Sequence, residues 1–470
     1  MQLRLFRHFV PISVILLVSS DALLITGAFY QMLSQAGRNT AVLVYEASHF
    51  PVLLAAVLSM AAVTTMISVG LYGEQSFVDF RLMLSKIAVA FVLVLMVMLV
   101  SGSYWPEGLH ALPNVDGLPL RATLAWLACI SLTRSAFLVT LGRGLLKRRI
   151  VVLGNGAQAA RIAKLVESGG NQHFLPLTYV RAPDGCVAGA AGAIDWTKDE
   201  PDALADLSCK LGASEIVVAV DDRRGLPVRQ LLHCKLAGIR VTQFLDFWER
   251  ETRTVDLDAL QPSWFFYSDG FRCGVVDEVI KRVFDIVVSL SLLAFSAPLL
   301  LVTACLIKLD SPGPVLYRQQ RVGYRGRTFT ILKFRSMQTN AERQSGPQWA
   351  AKGDPRITRV GMVIRKLRID ELAQIINVLR GDMSFVGPRP ERPYFVADLA
   401  AAIPYYSERH WVRPGITGWA QINYPYGASI NDARHKLSFD LYYVKNQSIF
   451  LDFLILLQTA RVIFWNYGAR

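Results

Sequence analysis

Four long runs of apolar residues occupy the first third of the chain. They lie at about 11–34, 51–73, 83–104 and 122–143. Each run has roughly the 20 residues that an α-helix needs to cross the hydrocarbon core of a bilayer. The pattern therefore predicts a bundle of four membrane-spanning helices within residues 1–146.

Basic residues between these runs indicate the orientation of the bundle, because Lys and Arg are enriched at the cytoplasmic ends of membrane helices. Arg4 and Arg7 precede the first run, Arg81 ends the link between the second and third, and Arg143 follows the fourth. The other two links are poor in cations. Both ends of the bundle are therefore expected in the cytoplasm, and the length of the first run argues against a cleaved signal peptide.

Two charged residues lie inside these runs, Asp21 in the first and Arg134 in the fourth. Each is about nine or ten residues from the cytoplasmic end, so at a rise of ~1.5 Å per residue they occupy similar depths. Ionisable groups at such depth usually face a partner or a cavity. We therefore expect Asp21 and Arg134 to pair, with separate polar contacts as the alternative.

Strands and helices alternate in the following segment, 147–262, which is typical of a parallel α/β sheet. The turn Gly154-Asn155-Gly156 lies between the first strand and the first helix and has the G-x-G-x-x-A pattern of a Rossmann-like, nucleotide-binding-type fold. Strands are predicted at 149–154, 174–180, 215–220 and 239–244, and further helices at about 201–212 and 225–236.

The second strand of this segment is followed by Arg181, where an NAD-binding fold carries an acidic residue. This argues against NAD-dependent redox chemistry, and we find no Tyr-x-x-x-Lys pair that would indicate a nucleotide-sugar dehydratase or epimerase. A helix N-terminus can still attract a phosphate. The segment is therefore predicted to be a scaffold or dimerisation module, a regulatory nucleotide site, or a catalytic domain.

A fifth apolar run, at 283–307, is interrupted at its middle by Ser296-Ala297-Pro298. Proline removes a helix hydrogen bond and clashes with the preceding turn. Lys281 and Lys308 lie among cations at both ends of the run, so both ends have cytoplasmic character. The charges favour a re-entrant helix–turn–helix over about 279–309, broken at Ser296 and Pro298, rather than a proline-kinked spanning helix. Ser296 is expected to bond to carbonyls that the break frees.

Composition agrees with a membrane protein that meets anions. Hydrophobic residues make up 52% of the 470 residues, the mean hydropathy is +0.32 and the formal net charge is +13. The cations lie beside membrane segments and C-terminal motifs, which favours anionic lipids and a phosphorylated substrate over nucleic acid. The six cysteines form no CxxC or CxxH pair, which excludes a zinc or disulfide framework.

Asp370 and Glu371 are adjacent carboxylates in a stretch that is rich in cations. One carboxylate could bind a hard metal ion while the other attacks phosphorus. The plainer alternative is an amphipathic helix with an ion-paired solvent face. The neighbouring cations include Arg365, Lys366, Arg368, Arg380 and Arg389.

Several motifs in this half of the chain resemble the monotopic polyprenyl-phosphate phosphoglycosyl transferases, a bacterial sugar transferase family. They are KRVFDIVVSLSLL, SPGPVLYRQQRVGYRGRTFTILKFRSM (311–337), RKLRIDELAQIINVLRGDMSFVGPRPE (365–391) and VRPGITGWAQINYPYG (412–427). The resemblance covers about 276–470 and implies a mixed α/β catalytic domain at 263–470. With the upstream bundle and Rossmann-like domain, the chain is similar to the large subclass of undecaprenyl-phosphate glucose or galactose phosphotransferases. PSWFFYSDGF (262–271) further resembles a branch associated with exosortase exopolysaccharide loci.

The resemblance implies transfer of a sugar-1-phosphate from a UDP-sugar to a polyprenyl phosphate, with release of UMP. This is the first membrane step of exopolysaccharide or O-antigen synthesis, at the cytoplasmic face of the bacterial inner membrane. The family also implies contact with membrane lipids, a homodimer and Mg²⁺. It leaves open which sugar is transferred: glucose, galactose or another hexose. A membrane-anchored nucleotide sensor or scaffold with an inactive C-terminal domain remains the rival from another class.

Residue roles follow from the same resemblance. Asp370 is expected to be the nucleophile that forms a covalent phosphosugar intermediate in a ping-pong reaction. Glu371 and Asp370 are expected to hold Mg²⁺. Phosphate-binding roles fall to Arg365, Arg389, Lys333 and Arg335, with ion pairs or an exposed basic strand as alternatives. Lys333 and Arg335 belong to a predicted strand, in which alternation places both side chains on one face.

Arg368 departs from the family pattern, because many relatives have a small hydroxyl residue there. It adds positive charge, and its role is left open between an effect on sugar preference and an ion pair. Trp419, Gln421 and Asn423 are candidates for the sugar or uridine pocket, although core packing is an equal alternative for Trp419.

Overall fold

The structure is a computed structural model. It describes residues 2–5, 8–38, 50–73, 80–103, 117–142, 147–167, 174–180, 193–194, 202–224, 226–268, 270–271, 274–338, 356–425, 427 and 429–465. The chain forms two compact units, one of residues 1–4 and 9–252 and one of residues 5–8 and 253–470. Arg7, Arg143 and Arg181, which entered the predictions above, lie outside the described residues.

The first unit contains the predicted bundle. Each of its four helices is long and apolar enough to cross a membrane. Apolar side chains such as Leu23, Met60 and Leu132 are exposed on their outer faces, as expected when the surrounding solvent is lipid. The elements are β1 (Gln2–Leu5), β2 (His8–Pro11), α1 (Ile12–Arg38), α2 (Phe50–Val69), α3 (Phe80–Ser103) and α4 (Leu118–Gly142).

The predicted pair between the first and fourth helices is confirmed. Arg134 Nη1 lies 3.2 Å from Asp21 Oδ2, and the hydroxyl of Tyr72 donates to the same oxygen at 2.8 Å. Both charged side chains are buried. A buried charge without its partner is strongly destabilising, so this pair fixes the register of α1 against α4.

A five-stranded parallel sheet follows the bundle in the same unit, as the alternating pattern predicted. The strand order is β5-β4-β3-β6-β7. Val151, Leu153 and Ile216 point from the central strands into a core that Leu204 and Cys234 cover. The elements are β3 (Arg148–Leu153), α5 (Ala157–Glu167), β4 (Phe174–Val180), β5 (Ala193–Ile194), α6 (Ala203–Lys210), β6 (Glu215–Val218), α7 (Val228–Leu236), β7 (Arg240–Gln243) and α8 (Phe244–Thr252).

A carboxylate of the protein itself occupies the glycine-rich turn before α5. The Asp221 carboxylate accepts hydrogen bonds from the backbone N–H of Ala157 at 2.7 Å and of Gln158 at 3.2 Å. A β-carbon on Gly156 would lie 2.0 Å from Asp221 Oδ2. This is the position where a Rossmann fold holds a pyrophosphate. Of the three predicted roles for this domain, the geometry favours the scaffold.

The second unit is a mixed α/β domain with one long apolar helix. Strands β8 and β9 form an antiparallel hairpin, and β10 pairs with β11 in parallel. Its elements are α9 (Pro262–Tyr267), α10 (Val275–Asp310), β8 (Leu316–Val322), β9 (Thr328–Phe334), α11 (Arg359–Lys366), α12 (Ile375–Arg380), β10 (Ser384–Val386), α13 (Pro393–Ala402), β11 (Gly415–Thr417), α14 (Trp419–Asn423), α15 (Ile430–Asn446) and α16 (Ile449–Trp465).

This unit begins at 253, earlier than the predicted boundary at 263. Two hydrogen bonds account for the difference. The indole Nε1 of Trp419 donates to the carbonyl of Arg253 at 3.0 Å, and the backbone N–H of Val255 donates to the carbonyl of Ser438 at 3.0 Å. The segment that precedes α9 is therefore part of the second unit.

The apolar run at 283–307 is one helix, so the predicted turn at Ser296 and Pro298 is wrong. α10 is helical over 36 residues with Pro298 in its interior. The hydroxyl of Ser296 donates to the carbonyl of Leu292 at 2.6 Å, which agrees with the expected side-chain bond to a carbonyl. Proline costs one backbone hydrogen bond, and a helix can continue where local groups compensate. Among the described residues α10 is the fifth helix long and apolar enough to span a membrane.

We expect Gly156→Ala to lower the stability of the sheet domain, because the new methyl group displaces the Asp221 carboxylate from two N–H donors. Losing these bonds should cost about 1–3 kcal/mol. Thermal unfolding of the full chain in detergent would measure the loss. In an Asp221→Ala background the same glycine substitution should cost much less. Equal costs in both backgrounds would contradict the contact.

Candidate active site

A short 3-10 turn, Ile369–Gln374, carries the adjacent carboxylates. Arg368 precedes it in the left-handed conformation, with φ of 58°. That conformation is unfavourable for a residue other than glycine and persists only where surrounding contacts fix it. Ala373 anchors the turn in a core with Ile307 and Phe334. The turn is therefore held between strand β9 and the end of the apolar helix.

Glu371 lies at the centre of a group of cations. Its carboxylate is 2.6 Å from Arg389 Nη2, 3.2 Å from Lys333 Nζ and 3.8 Å from Arg368 Nη1. The three cations come from the loop after β10, from strand β9 and from the residue before the turn. Glu371 is buried. Charge-assisted hydrogen bonds in such surroundings are strong, so this carboxylate organises the site.

The two adjacent carboxylates have opposite pKa shifts. Burial alone would raise the pKa of Glu371, but the charges of Arg389 and Lys333 outweigh it and hold that pKa well below its usual range. Burial and the neighbouring charge of Glu371 raise the pKa of Asp370 to about 6, against the opposing charges of Lys333, Arg365 and Arg389. Neighbouring carboxylates with such different environments are typical of groups with different chemical roles.

The structure brings Lys333, Arg365 and Arg389 to the carboxylates. Lys333 and Arg389 contact Glu371 directly, and Arg365 acts on Asp370 through its charge. Burial lowers the pKa of Lys333, while Glu371 opposes that shift. Together these cations provide hydrogen-bond donors for the oxygens of a phosphate group.

Arg335 lies elsewhere, so its predicted place among the phosphate-binding cations is corrected. Its guanidinium donates to the carbonyls of Ile307, Pro312 and Ser311 at 3.3, 3.1 and 2.7 Å, and to the Ser311 hydroxyl at 2.9 Å. Strand β9 ends at Phe334, so strict alternation no longer places Arg335 on the same face as Lys333. Arg335 caps the C-terminal end of α10.

Two of the three predicted pocket residues have structural partners. Trp419 is buried, and its ring packs against His8 and Tyr442 with centroids 5.4 and 5.9 Å away. These contacts agree with the alternative prediction for Trp419, a role in core packing. Asn423 Nδ2 donates to the carbonyl of Trp419 at 2.9 Å. Gln421 differs, because its Oε1 is buried with no hydrogen-bond partner in the part of the chain that the structure describes.

Arg321 and Gln374 were not predicted as site residues. A small cleft beside the carboxylates is lined by Arg321, Ile331, Lys333, Gln374, Arg389, Pro390 and Gly415. Arg321 is one of several arginines in the motif that ends KFRSM, and only the register of the β8–β9 hairpin decides which of them faces the cleft. That register could not be read from one sequence.

The acidic pair fits a magnesium ion that is shared with a substrate. Within the described ranges, no group of three or more His, Cys, Asp or Glu side chains could hold a metal. Mg²⁺ is often bound by one or two carboxylates and completed by substrate phosphates and water. Asp370 and Glu371 supply that number of carboxylates, so the residues present are suitable for this binding mode.

Comparison with known proteins identifies relatives of this domain. A family model described as bacterial sugar transferase matches residues 276–466. The chain is 48% identical over 250 residues to the UDP-N-acetylgalactosamine-undecaprenyl-phosphate N-acetylgalactosaminephosphotransferase of Aeromonas hydrophila, a match that covers 53% of this chain and 58% of that protein.

Two further relatives bear related names. The undecaprenyl-phosphate glucose phosphotransferase of Komagataeibacter xylinus is 46% identical over 190 residues, covering 39% of this chain and 36% of that protein. The UDP-glucose:undecaprenyl-phosphate glucose-1-phosphate transferase of Escherichia coli (strain K12) is 32% identical over 377 residues, covering 77% of this chain and 79% of that protein. The chain thus spans less than two thirds of the Aeromonas and Komagataeibacter proteins, but most of the Escherichia coli protein.

Proposed function

Because the chain belongs to the bacterial sugar transferase family, we propose that it transfers a sugar-1-phosphate from a UDP-sugar to a polyprenyl phosphate and releases UMP. The observation that carries this proposal is the contrast between Glu371, whose carboxylate three cations contact, and Asp370, whose pKa is raised to about 6. Such a pair can offer one fixed anion and one reactive carboxylate. The names of the relatives supply the class of substrate.

The proposed reaction has two displacements at phosphorus. An Asp370 oxygen attacks the β-phosphorus of the UDP-sugar, a bond forms between that oxygen and phosphorus, and the bond from phosphorus to the bridging oxygen breaks to release UMP. A phosphate oxygen of the polyprenyl phosphate then attacks the same phosphorus and releases Asp370. Two steps avoid a simultaneous encounter of two anionic substrates.

The cations around the carboxylates support this chemistry. Lys333, Arg365 and Arg389 would bind the phosphate oxygens and stabilise the charge that develops as UMP leaves. Glu371 keeps the side chains of Lys333 and Arg389 close to Asp370. When bound by Asp370 and Glu371, Mg²⁺ would screen the charge of the pyrophosphate.

Contacts of α10 support the proposal that both ends of this helix lie on the cytoplasmic side of the membrane. Near its N-terminal end, Arg282 donates to the carbonyls of Val378 and Leu379 at 2.5 and 2.7 Å. Near its C-terminal end, Ile307 packs in the core beside Phe334. Both ends of the apolar run are therefore held by the same α/β domain. A full crossing would require this polar domain to contact the helix on both sides of the bilayer.

An exposed apolar surface beside the site agrees with that position. Met362 and Val363 of α11, and Leu367, which follows this helix, are exposed shortly before Asp370. Apolar side chains next to basic ones are typical of helices that lie at the membrane surface. We propose that this surface brings Asp370 to the phosphate of a membrane-embedded polyprenyl chain, facing the cytoplasm where UDP-sugars are available. The expected homodimer stays a prediction.

The decisive assay uses purified protein in nanodiscs with polyprenyl phosphate and a panel of UDP-sugars labelled in the sugar. At least one donor should transfer label to the lipid fraction with release of UMP, and the best donor identifies the sugar. No transfer from any donor by folded protein would favour the rival function, a membrane-anchored sensor or scaffold.

Asp370→Asn should abolish both UMP release and the covalent phosphosugar adduct, because an amide cannot replace the carboxylate as the nucleophile. Mass spectrometry of the protein after incubation with donor alone would measure the adduct. Glu371→Gln is the matched neighbour. It should reduce turnover severely and change the Mg²⁺ dependence, because an amide is a poorer ligand for a hard cation. Normal turnover by Asp370→Asn would refute the mechanism.

The first displacement should lose rate as the pH falls through about 6, because the raised pKa leaves Asp370 protonated and unreactive below that value. UMP release with donor alone is the measurement, since it avoids titration of the acceptor phosphate. In Glu371→Gln, the residual rate should fall at a lower pH, because the charge that raises the pKa of Asp370 has been removed. A wild-type rate that is constant down to pH 5 would contradict this assignment.

The membrane topology can be measured with single cysteines near Lys281 and near Arg325 in a cysteine-free chain. An impermeant thiol reagent should label both positions in lysates and neither in intact cells, because both ends of α10 are proposed to face the cytoplasm. A cysteine at the bundle's second-to-third link, near Arg81, is the cytoplasmic control. Labelling of the Arg325 position alone in intact cells would mean that α10 spans the bilayer.

A further inference from the structure

The active-site cation Arg389 lies on a loop, 387–391, with the sequence GPRPE. This loop joins β10 to α13, and the side chain of Arg389 extends from the loop to Glu371. A side chain on a loop keeps a fixed position only when the backbone below it is fixed. The contacts of that backbone therefore decide how well the cation is positioned.

Arg409 holds the loop from below. Its Nη2 donates to the carbonyl of Arg389 at 2.9 Å, and its Nη1 donates to the hydroxyl of Tyr406 at 2.6 Å. The same guanidinium lies 2.8 Å from the carboxylate of Asp440 on α15. Arg409 and Asp440 are both buried. The guanidinium of Arg409 thus contacts the GPRPE loop, the 3-10 segment Tyr406–Trp411 that contains Arg409, and helix α15.

A second arginine holds the next residue of the loop. Arg321 Nη1 donates to the carbonyl of Pro390 at 3.1 Å. The backbone N–H of Val322 donates to the carbonyl of Glu391 at 2.9 Å. Three consecutive carbonyls, from Arg389 to Glu391, therefore accept bonds from fixed donors. Consecutive contacts of this kind prevent the peptide planes from rotating.

A buried arginine–aspartate pair is a weak source of stability, because removing both charges from water offsets most of their attraction. Its value here lies in geometry. We propose that Arg409 and Asp440 are a positioning pair, which fixes the backbone of Arg389 so that its guanidinium stays against Glu371. The proposal rests on the proposed function, because it assigns a role in the same reaction. Neither residue is placed in contact with substrate.

Loss of this pair should weaken the stabilisation of the charge that develops as UMP leaves, because the guanidinium of Arg389 would no longer be held against Glu371. A residue with a purely structural role would lower stability, and its effect on the rate would be independent of the residue at position 389.

Arg409→Lys is the first test. A lysine ammonium keeps the charge but cannot donate to the carbonyl of Arg389 and the hydroxyl of Tyr406 and also pair with Asp440 in one fixed plane. The rate of UMP release in a single turnover should fall about 10- to 100-fold, as small displacements in active sites commonly cause. Arg434→Lys is the matched control, because Arg434 lies on α15 and pairs with Asp258.

A double-mutant cycle tests whether Arg409 acts through Arg389. In an Arg389→Lys background, Arg409→Lys should have little further effect on the rate, because the positioned group is already altered. Independent, multiplicative losses would overturn the proposal. Tyr406→Phe removes a single bond to Arg409 and serves if Arg409→Lys does not fold. It should lower the same rate by a smaller factor, and an unchanged rate would count against the pair.

The outcomes separate this inference from the proposed function. A folded wild-type protein that releases no UMP would overturn the proposed function and the positioning role with it. An active wild-type protein whose Arg409→Lys variant has a normal rate would overturn only the positioning role. A loss equal to that of Arg434→Lys would have the same meaning.

Discussion

The candidate active site depends on one interaction, the attraction between the buried carboxylate of Glu371 and the cations around it. The carboxylate attracts Arg389, Lys333 and Arg368, which belong to three different segments of the chain. Without this carboxylate, the three cations would repel one another at these distances. One central anion makes their assembly possible before any phosphate arrives. It also means that binding a polyanionic substrate exchanges one set of ion pairs for another, instead of first gathering scattered charges.

The same carboxylate determines the properties of its neighbour. Because the cations contact Glu371, the charge of Glu371 and burial dominate at Asp370 and raise its pKa. A carboxylate whose ionised form is disfavoured in the free enzyme is a better nucleophile than one already stabilised by ion pairs, because less attraction is lost when it attacks. In the proposed mechanism, the order of these two residues along the chain thus separates an anchoring role for Glu371 from a reactive role for Asp370.

Features fixed by local pattern or by a single charge at depth could be predicted from the sequence. The apolar runs predicted the helices, and depth alone predicted the contact between Asp21 and Arg134. Predictions failed where the outcome depends on tertiary contacts. Alternation placed Arg335 beside Lys333, but the strand ends one residue too early and Arg335 caps α10. Pro298 was expected to end a helix, yet the helix continues through it. For Arg321, only the register of the β8–β9 hairpin shows that this arginine faces the cleft, and that register could not be read from the sequence.

A second buried charge connects the membrane helix to the active site. Lys281 of α10 lies 2.7 Å from Asp452 of α16 and 3.2 Å from Asp285 on its own helix. Asp285 in turn accepts hydrogen bonds from the Ser384 hydroxyl at 3.0 Å and the Phe385 N–H at 3.1 Å, both in β10. Buried charges of this kind are costly unless every partner is present, so they specify a single arrangement. Because β10 leads directly into the GPRPE loop, the position of α10 against the α/β domain and the position of Arg389 on that loop are fixed by one framework.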